Sequence, residues 1–194
     1  LNAINYKKAN TILADIQYSY IKNGFNISLE KIKPLISKKT KVIIVIHMFG
    51  VPADLNPIIE FANENNIIVV EDCAQSLGSY YNGKPAGYYG HLRIFSFYAT
   101  KIISTGQGGM LLTSNNDLKE KIIDLTTYDK RMNFKPAYNY TLTDIQSALG
   151  ITQLKKLPDF IKKRKYIEHI YNNEFKNLQI KIANYDKGFA FRYI

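Results

Sequence analysis

Two short runs of apolar, mostly β-branched residues, Lys41 to Ile46 and Ile67 to Val70, bracket one amphipathic segment. A run without polar alternation is the pattern of a strand covered on both faces. Between the runs, Asp54 stands at a helix N-cap position, and Leu55, Ile58, Ile59 and Ala62 follow at i, i+3, i+4 and i+7. Asn65-Asn66 ends that helix, and the second strand runs out in Glu71-Asp72. Strand, helix and strand joined by short links form a βαβ unit, whose crossover makes the strands parallel. The fold class expected is α/β, a mostly parallel sheet flanked by helices.

The remainder is consistent with that class. Residues 11–16, Thr-Ile-Leu-Ala-Asp-Ile, read as a short strand, and Ser28 as the cap of a helix to about Ile36, with Pro34 opposing it. Asn82-Gly83 marks a tight turn in a tyrosine-rich hairpin from Tyr80 to Tyr89. His91 to Tyr98 and Gly109 to Thr113 read as strands, and Asn115 or Asn116 caps a helix with Leu118, Ile122 and Leu125 on one face. Thr143-Asp144-Ile145-Gln146 is a capping box, opening a helical last third that continues past Gly150 and Pro158.

Composition removes several function classes. The apolar stretch from Val42 to Val51 is interrupted by His47 and Gly50 and falls far short of the roughly 20 residues that span a bilayer. No membrane role is expected. The net charge of +10 could attract nucleic acid, yet only four of the 26 Lys+Arg residues are arginine, the side chain suited to reading guanine and phosphate bidentately. The basic excess is gradual, with one small cluster at Lys162, Lys163, Arg164 and Lys165, and reads as a solvated face. The single cysteine, Cys73, can form no internal disulfide, which suits a cytoplasmic location.

Three features carry chemistry. Glu71-Asp72-Cys73-Ala74-Gln75 sets two carboxylates at the carboxyl end of a parallel strand, the edge where open α/β sheets bind ligands. Ser96 to Lys101 is a strand end followed by one lysine, and Thr105-Gly106-Gln107-Gly108-Gly109 is a glycine-rich turn that lets backbone approach a ligand. A dinucleotide site needs Gly-x-Gly-x-x-Gly between strand and helix, and Phe49 to Asp54 holds one glycine and a proline instead. The glycine turn lacks Gly-Lys-Ser/Thr and is no P-loop. A carboxylate, a lysine and a hydroxyl suit pyridoxal phosphate, which needs an amine, an acid to keep its ring nitrogen protonated and donors for its phosphate. Lys101, Asp72 and Ser96 are the candidates. His47, at the same edge, receives no role, and no metal ligand set is expected.

The run His47-Met48-Phe49-Gly50-Val51-Pro52-Ala53-Asp54 resembles the His-Leu-Tyr-Gly-x-Pro-Ala-Asp segment of the DegT/DnrJ/EryC1/StrS family of pyridoxal-phosphate-dependent sugar aminotransferases. Glu71 to Gln75 resembles its Glu-Asp-Ala-Ala-Gln, Ser96 to Lys101 its Ser-Phe-x-x-Thr-Lys, and Gly106 to Gly109 its Gly-Glu-Gly-Gly. Tyr138 to Gln146 resembles its Tyr-Asn-Tyr-Arg-Met-Thr-Asp-Ile-Gln. The resemblance implies a fold type I large domain in which Lys101 binds the cofactor covalently and shuttles protons. It also implies that Asp72 pairs with the pyridine nitrogen, Gln75 meets the ring and its phenolic oxygen, and Ser96 binds phosphate. Asn139 would reach the phosphate of a neighbouring subunit's cofactor, so a homodimer with shared sites is implied. The implied substrates are a nucleotide-linked keto-sugar and an amino donor such as glutamate, for surface-sugar or polysaccharide synthesis. The family's dehydratases carry histidine in place of this lysine, so Lys101 favours transamination.

The chain departs from the pattern at Thr141, where the family has arginine, and at Gln107, where it has glutamate. The resemblance divides the chain into a cofactor-binding core (1–140), a helical segment (141–188) and the first residues of a C-terminal domain (189–194). It implies an internal piece of the family fold, lacking the family's upstream phosphate cup and stacking aromatic. A core without competent catalysis on its own, or a partner subunit, is the alternative expectation; a basic nucleic-acid-binding module is the third.

Overall fold

In chain order, the computed structural model, which describes residues 2–19, 24–129, 132 and 135–178, opens with α1 (Asn2–Tyr6) and a small antiparallel ribbon, β1 (Gln17–Ser19) with β2 (Gly24–Asn26). Helix α2 (Leu29–Ile32), strand β3 (Val42–Ile46), helix α3 (Leu55–Glu64) and strand β4 (Ile68–Asp72) follow. Next come the hairpin strands β5 (Tyr80–Tyr81) and β6 (Lys84–Pro85), then β7 (Leu92–Ser96) and β8 (Gly109–Leu112). Helices α4 (Asn116–Thr126) and α5 (Asp144–Glu174) complete the described part. The segment 189–194, expected to open a C-terminal domain, lies outside the described residues.

Two local expectations need correction. Residues 11–16 form no strand; Ile12 and Leu13 are exposed, and pairing begins only at Gln17. The helix expected from Ser28 to Ile36 splits at Pro34 into α2 and a 3-10 turn, Lys33–Leu35. Proline has no N–H to donate, and its ring collides with the carbonyl of the previous turn. Ser28 occupies the N-cap with extended backbone, but its hydroxyl makes no cap bond. Asp54 likewise stands at the N-cap of α3 without a side-chain cap bond, its Oδ1 accepting from the Tyr81 hydroxyl instead, whereas the two later caps form as the sequence indicates. Asn115 accepts from Leu118 N–H at 2.9 Å, and Thr143 and Gln146 cap each other's backbone N–H groups at the start of α5. That helix runs through Gly150 and Pro158 without ending.

The four-stranded sheet has the order β3-β4-β7-β8. β3, β4 and β7 are parallel, and β8 runs antiparallel to β7. On one face, Ile43, Val45 and Val69 pack against Leu55, Ile58 and Ala62 of α3, with Ile32 and Tyr81 closing the cluster. Burying an aliphatic side chain of this size stabilises by about 1.5–3 kcal/mol. The opposite face is not covered as the β-branched runs predict. Val42, Ile44 and Ile46 remain 49, 41 and 43% exposed, and Ile94 and Leu111 on the same face are also exposed. No described segment buries them. Among the described residues, no helix is long and apolar enough to cross a membrane.

Candidate active site

Strand alternation separates the two carboxylates that end β4. Ile46, Asp72 and Ile94 lie in register across three strands, so Asp72 belongs to the open face, whereas Glu71 pairs with Val45 and Arg93 on the face that holds α3. Ser96, two residues beyond Ile94 on β7, shares the Asp72 face. Asp72 is half-buried, and its Oδ1 accepts the Ala74 N–H at 3.0 Å.

After β7 the chain turns tightly. Tyr98 N–H donates to Ser96 Oγ at 3.3 Å, Lys101 N–H to the Tyr98 carbonyl at 2.9 Å, and Thr105 N–H to the Phe97 carbonyl at 2.9 Å. This loop brings Ser96, Thr100 and Lys101 to a cavity of about 20 Å³ that Gln75 also lines, with Arg164 of α5 at its wall. Gln75 is held from behind, its Oε1 accepting the Phe49 N–H at 3.1 Å. Of the five residues implied for the cofactor, three therefore share one cavity, and Asp72 ends the adjacent strand on the face Ser96 also presents. Asn139 does not line that cavity. It is exposed, and Thr141 Oγ1 donates to its Oδ1 at 3.1 Å beside the stacked rings of Tyr138 and Tyr140.

The glycine turn has an internal reason for its composition. Gly108 has φ +152°, and a Cβ there would come within 2.6 Å of Thr105 Oγ1 and 2.7 Å of a Leu142 methyl. Thr105 Oγ1 and Gln146 Nε2 both donate to the Gln107 carbonyl, at 2.6 and 3.1 Å, so the capping box of α5 also ties down this loop.

Beneath the site lies a buried network that composition and spacing left unassigned. Glu71 is fully buried and accepts N–H bonds from Gly87 and Tyr89, each at 2.8 Å, and from Gly90. His47, also fully buried, accepts the Ala53 N–H at Nδ1 (3.1 Å), which places its own proton on Nε2, 3.2 Å from Glu71 Oε2. Burial is the largest influence on Glu71 and opposes its charge, but the bonds from His47, Gly90 and Gly87 together outweigh it and hold the carboxyl below its ordinary 4.5. Burial pushes the neighbouring Cys73 thiol up, which leaves it protonated and unreactive. The ligand atoms of His47, Glu71 and Cys73 lie within 4.8 Å of one another, a spacing a metal could use, but both the imidazole and the carboxylate are committed to protein partners. His47 lies two residues beyond Val45, the residue that pairs with Glu71, and this register is not written in any local pattern of the sequence.

Known proteins share this fold. GDP-perosamine synthase of Escherichia coli O157:H7 is 35% identical over 92% of this chain and 49% of its own length. The structure of Helicobacter pylori PseC, an aminotransferase involved in the biosynthesis of pseudoaminic acid, superposes with a TM-score of 0.84 at 27% identity, over 92% of this chain and 48% of that one. The structure of a GDP-4-keto-6-deoxymannose-3-dehydratase with bound GDP-perosamine gives a TM-score of 0.72 at 26% identity, over 84% of this chain and 47% of that one. The chain spans about half the length of the relatives it matches. Its fold is that of the fold type I pyridoxal-phosphate enzymes. The model of the DegT/DnrJ/EryC1/StrS aminotransferase family matches residues 1–188, and the chain belongs to that family.

Proposed function

We propose that this chain is the core of a pyridoxal-phosphate-dependent aminotransferase that transfers an amino group, with glutamate as donor, to a nucleotide-linked keto-sugar. The observation that carries the reading is the shared cavity of Lys101, Ser96 and Gln75 beside Asp72, in a chain of this family. The donor set fits the cofactor: a primary amine for its aldehyde, a carboxylate for its ring nitrogen, a hydroxyl for its phosphate and a carboxamide for its phenolic oxygen. The cavity itself has room for about one water, so Lys101, Ser96 and Gln75 would hold the cofactor from the cavity's rim and Asp72 from the neighbouring sheet face.

The bound cofactor supplies an electron sink for the charge left at the substrate carbon when a proton departs. Lys101 Nζ would hold the cofactor through its aldehyde and would be the group that carries the proton of the substrate carbon. The Asp72 carboxylate would hold a proton on the ring nitrogen. Ser96 Oγ, which accepts from Tyr98 N–H, keeps its own O–H to donate to phosphate. Asn139, exposed beside Tyr138 and Tyr140, serves the site of a second copy in a homodimer.

The fold hosts a dehydratase as well as aminotransferases among its neighbours. Lysine at 101, an amine able to form the covalent link, supports transamination over water loss. Supplied with pyridoxal phosphate, glutamate and a keto-sugar nucleotide, an enzyme built on this core is expected to release 2-oxoglutarate in step with an aminated sugar nucleotide, both read by mass spectrometry. A sugar that loses water without gaining nitrogen would falsify the transaminase reading.

A further inference from the structure

We infer that Asn26 is a positioning residue: through the turn after β3 it determines which end of the Gln75 side chain faces the Lys101 cavity. The inference rests on the reading of that cavity as the cofactor site.

Asn26 is 1% exposed, while its neighbour Phe25 is 37% exposed, the reverse of what their polarity predicts. Both ends of its carboxamide are committed to one turn. Oδ1 accepts the Met48 N–H at 2.8 Å, and Nδ2 donates to the Val51 carbonyl at 2.9 Å. The two bonds straddle Phe49 and Gly50, and Ser79 Oγ donates to the Gly50 carbonyl at 2.6 Å from another side. Phe49 is thereby kept at φ 55°, ψ 25°, a left-handed conformation that side chains other than glycine and asparagine seldom adopt.

In that conformation the Phe49 N–H meets Gln75 Oε1 at 3.1 Å. A backbone N–H can only donate, so it selects the oxygen of the carboxamide and fixes the amide's orientation. The remaining polar end of Gln75, its Nε2 donor, is the one available to an acceptor beside Ser96 and Lys101. With the turn relaxed, the amide is free to reverse and present an oxygen to the phenolic oxygen of the cofactor. Asn26 does not line the cavity and acts only through Phe49 and Gln75.

The test uses the nitrogen-15-labelled chain. Asn26→Asp keeps the acceptor for Met48 N–H but turns a carboxylate oxygen toward the Val51 carbonyl. Exchange of the Phe49 amide proton is expected to accelerate about tenfold, with the Val69 amide of the core unchanged. Gln75→Ala should release the Phe49 amide to the same degree while Met48 stays protected. With pyridoxal phosphate added, the pH at which its visible band changes should shift in both single variants, and the double variant should shift no further than Gln75→Ala alone. Unchanged Phe49 exchange in Asn26→Asp, or additive band shifts in the double variant, overturns the inference. If Asn26→Asp does not fold, Gln75→Ala decides, and unchanged Phe49 exchange there is the contrary result. A wild-type chain that gives no visible band counts against the cofactor reading alone, since the exchange measurements still decide whether Asn26 governs Gln75.

Discussion

Glu71→Gln is expected to bring the chain to the edge of unfolding at neutral pH. The glutamate's two oxygens serve three backbone N–H groups and the Nε2–H of His47, all converging on one buried point. Glutamine offers one oxygen and one NH2 group, so at least one buried donor faces another donor. Orphaning such groups costs about 3–5 kcal/mol in total, a large share of the roughly 5–15 kcal/mol that holds a domain together. Urea unfolding followed by circular dichroism reads the loss, and a midpoint equal to wild type would show the network to be dispensable. The pH dependence has a definite sign. Because folding holds the Glu71 carboxyl below 4.5, the ionised carboxylate's contribution is complete above that pH. It fades as pH falls through the lower folded value, so the gap between wild type and Glu71→Gln should narrow only on the acid side of 4.5.

Asp72→Asn should do the opposite, sparing the fold and removing the chemistry. Asparagine retains an Oδ1 to accept the Ala74 N–H, and the position is only half-buried, so thermal stability should change by less than about 1 kcal/mol. An amide cannot hold a proton on the pyridine nitrogen, so the electron sink weakens. Turnover by the complete enzyme is expected to fall roughly 100-fold or more, the scale seen when a dedicated electrostatic partner is removed. Near-normal single-turnover rates in this variant would remove Asp72 from its proposed role.

The contrast between these neighbours was legible in the sequence, since adjacent strand residues face opposite ways and only one can serve the open face. What Glu71 does was not legible. Its partners at Gly87, Tyr89, Gly90 and His47 are distant along the chain, and local periodicity carries no information about them. The βαβ unit could be read because two unbroken apolar runs, Lys41 to Ile46 and Ile67 to Val70, bracket a helix stripe with a clear period. The coverage of the sheet could not. A β-branched run reports what a strand face is suited to touch, and Val42, Ile44 and Ile46 stay accessible because no described segment supplies that contact. Asn26 was missed for a related reason. In Gly24-Phe25-Asn26 the alternation would bury phenylalanine, but the turn at Met48 to Val51 needs two hydrogen bonds at the buried position. Residue types and spacing made Lys101 a candidate, but a single lysine after a strand is common, and it was the motif resemblance that singled it out.

Whether Lys101 is the lysine that carries the cofactor is read directly by one measurement. The protein is incubated with pyridoxal phosphate, reduced with borohydride to fix any covalent link, digested and mapped by mass spectrometry. A single modified peptide labelled at Lys101, lost in Lys101→Ala, is expected. Stable label on another lysine, or undiminished label in that variant, contradicts that role for Lys101.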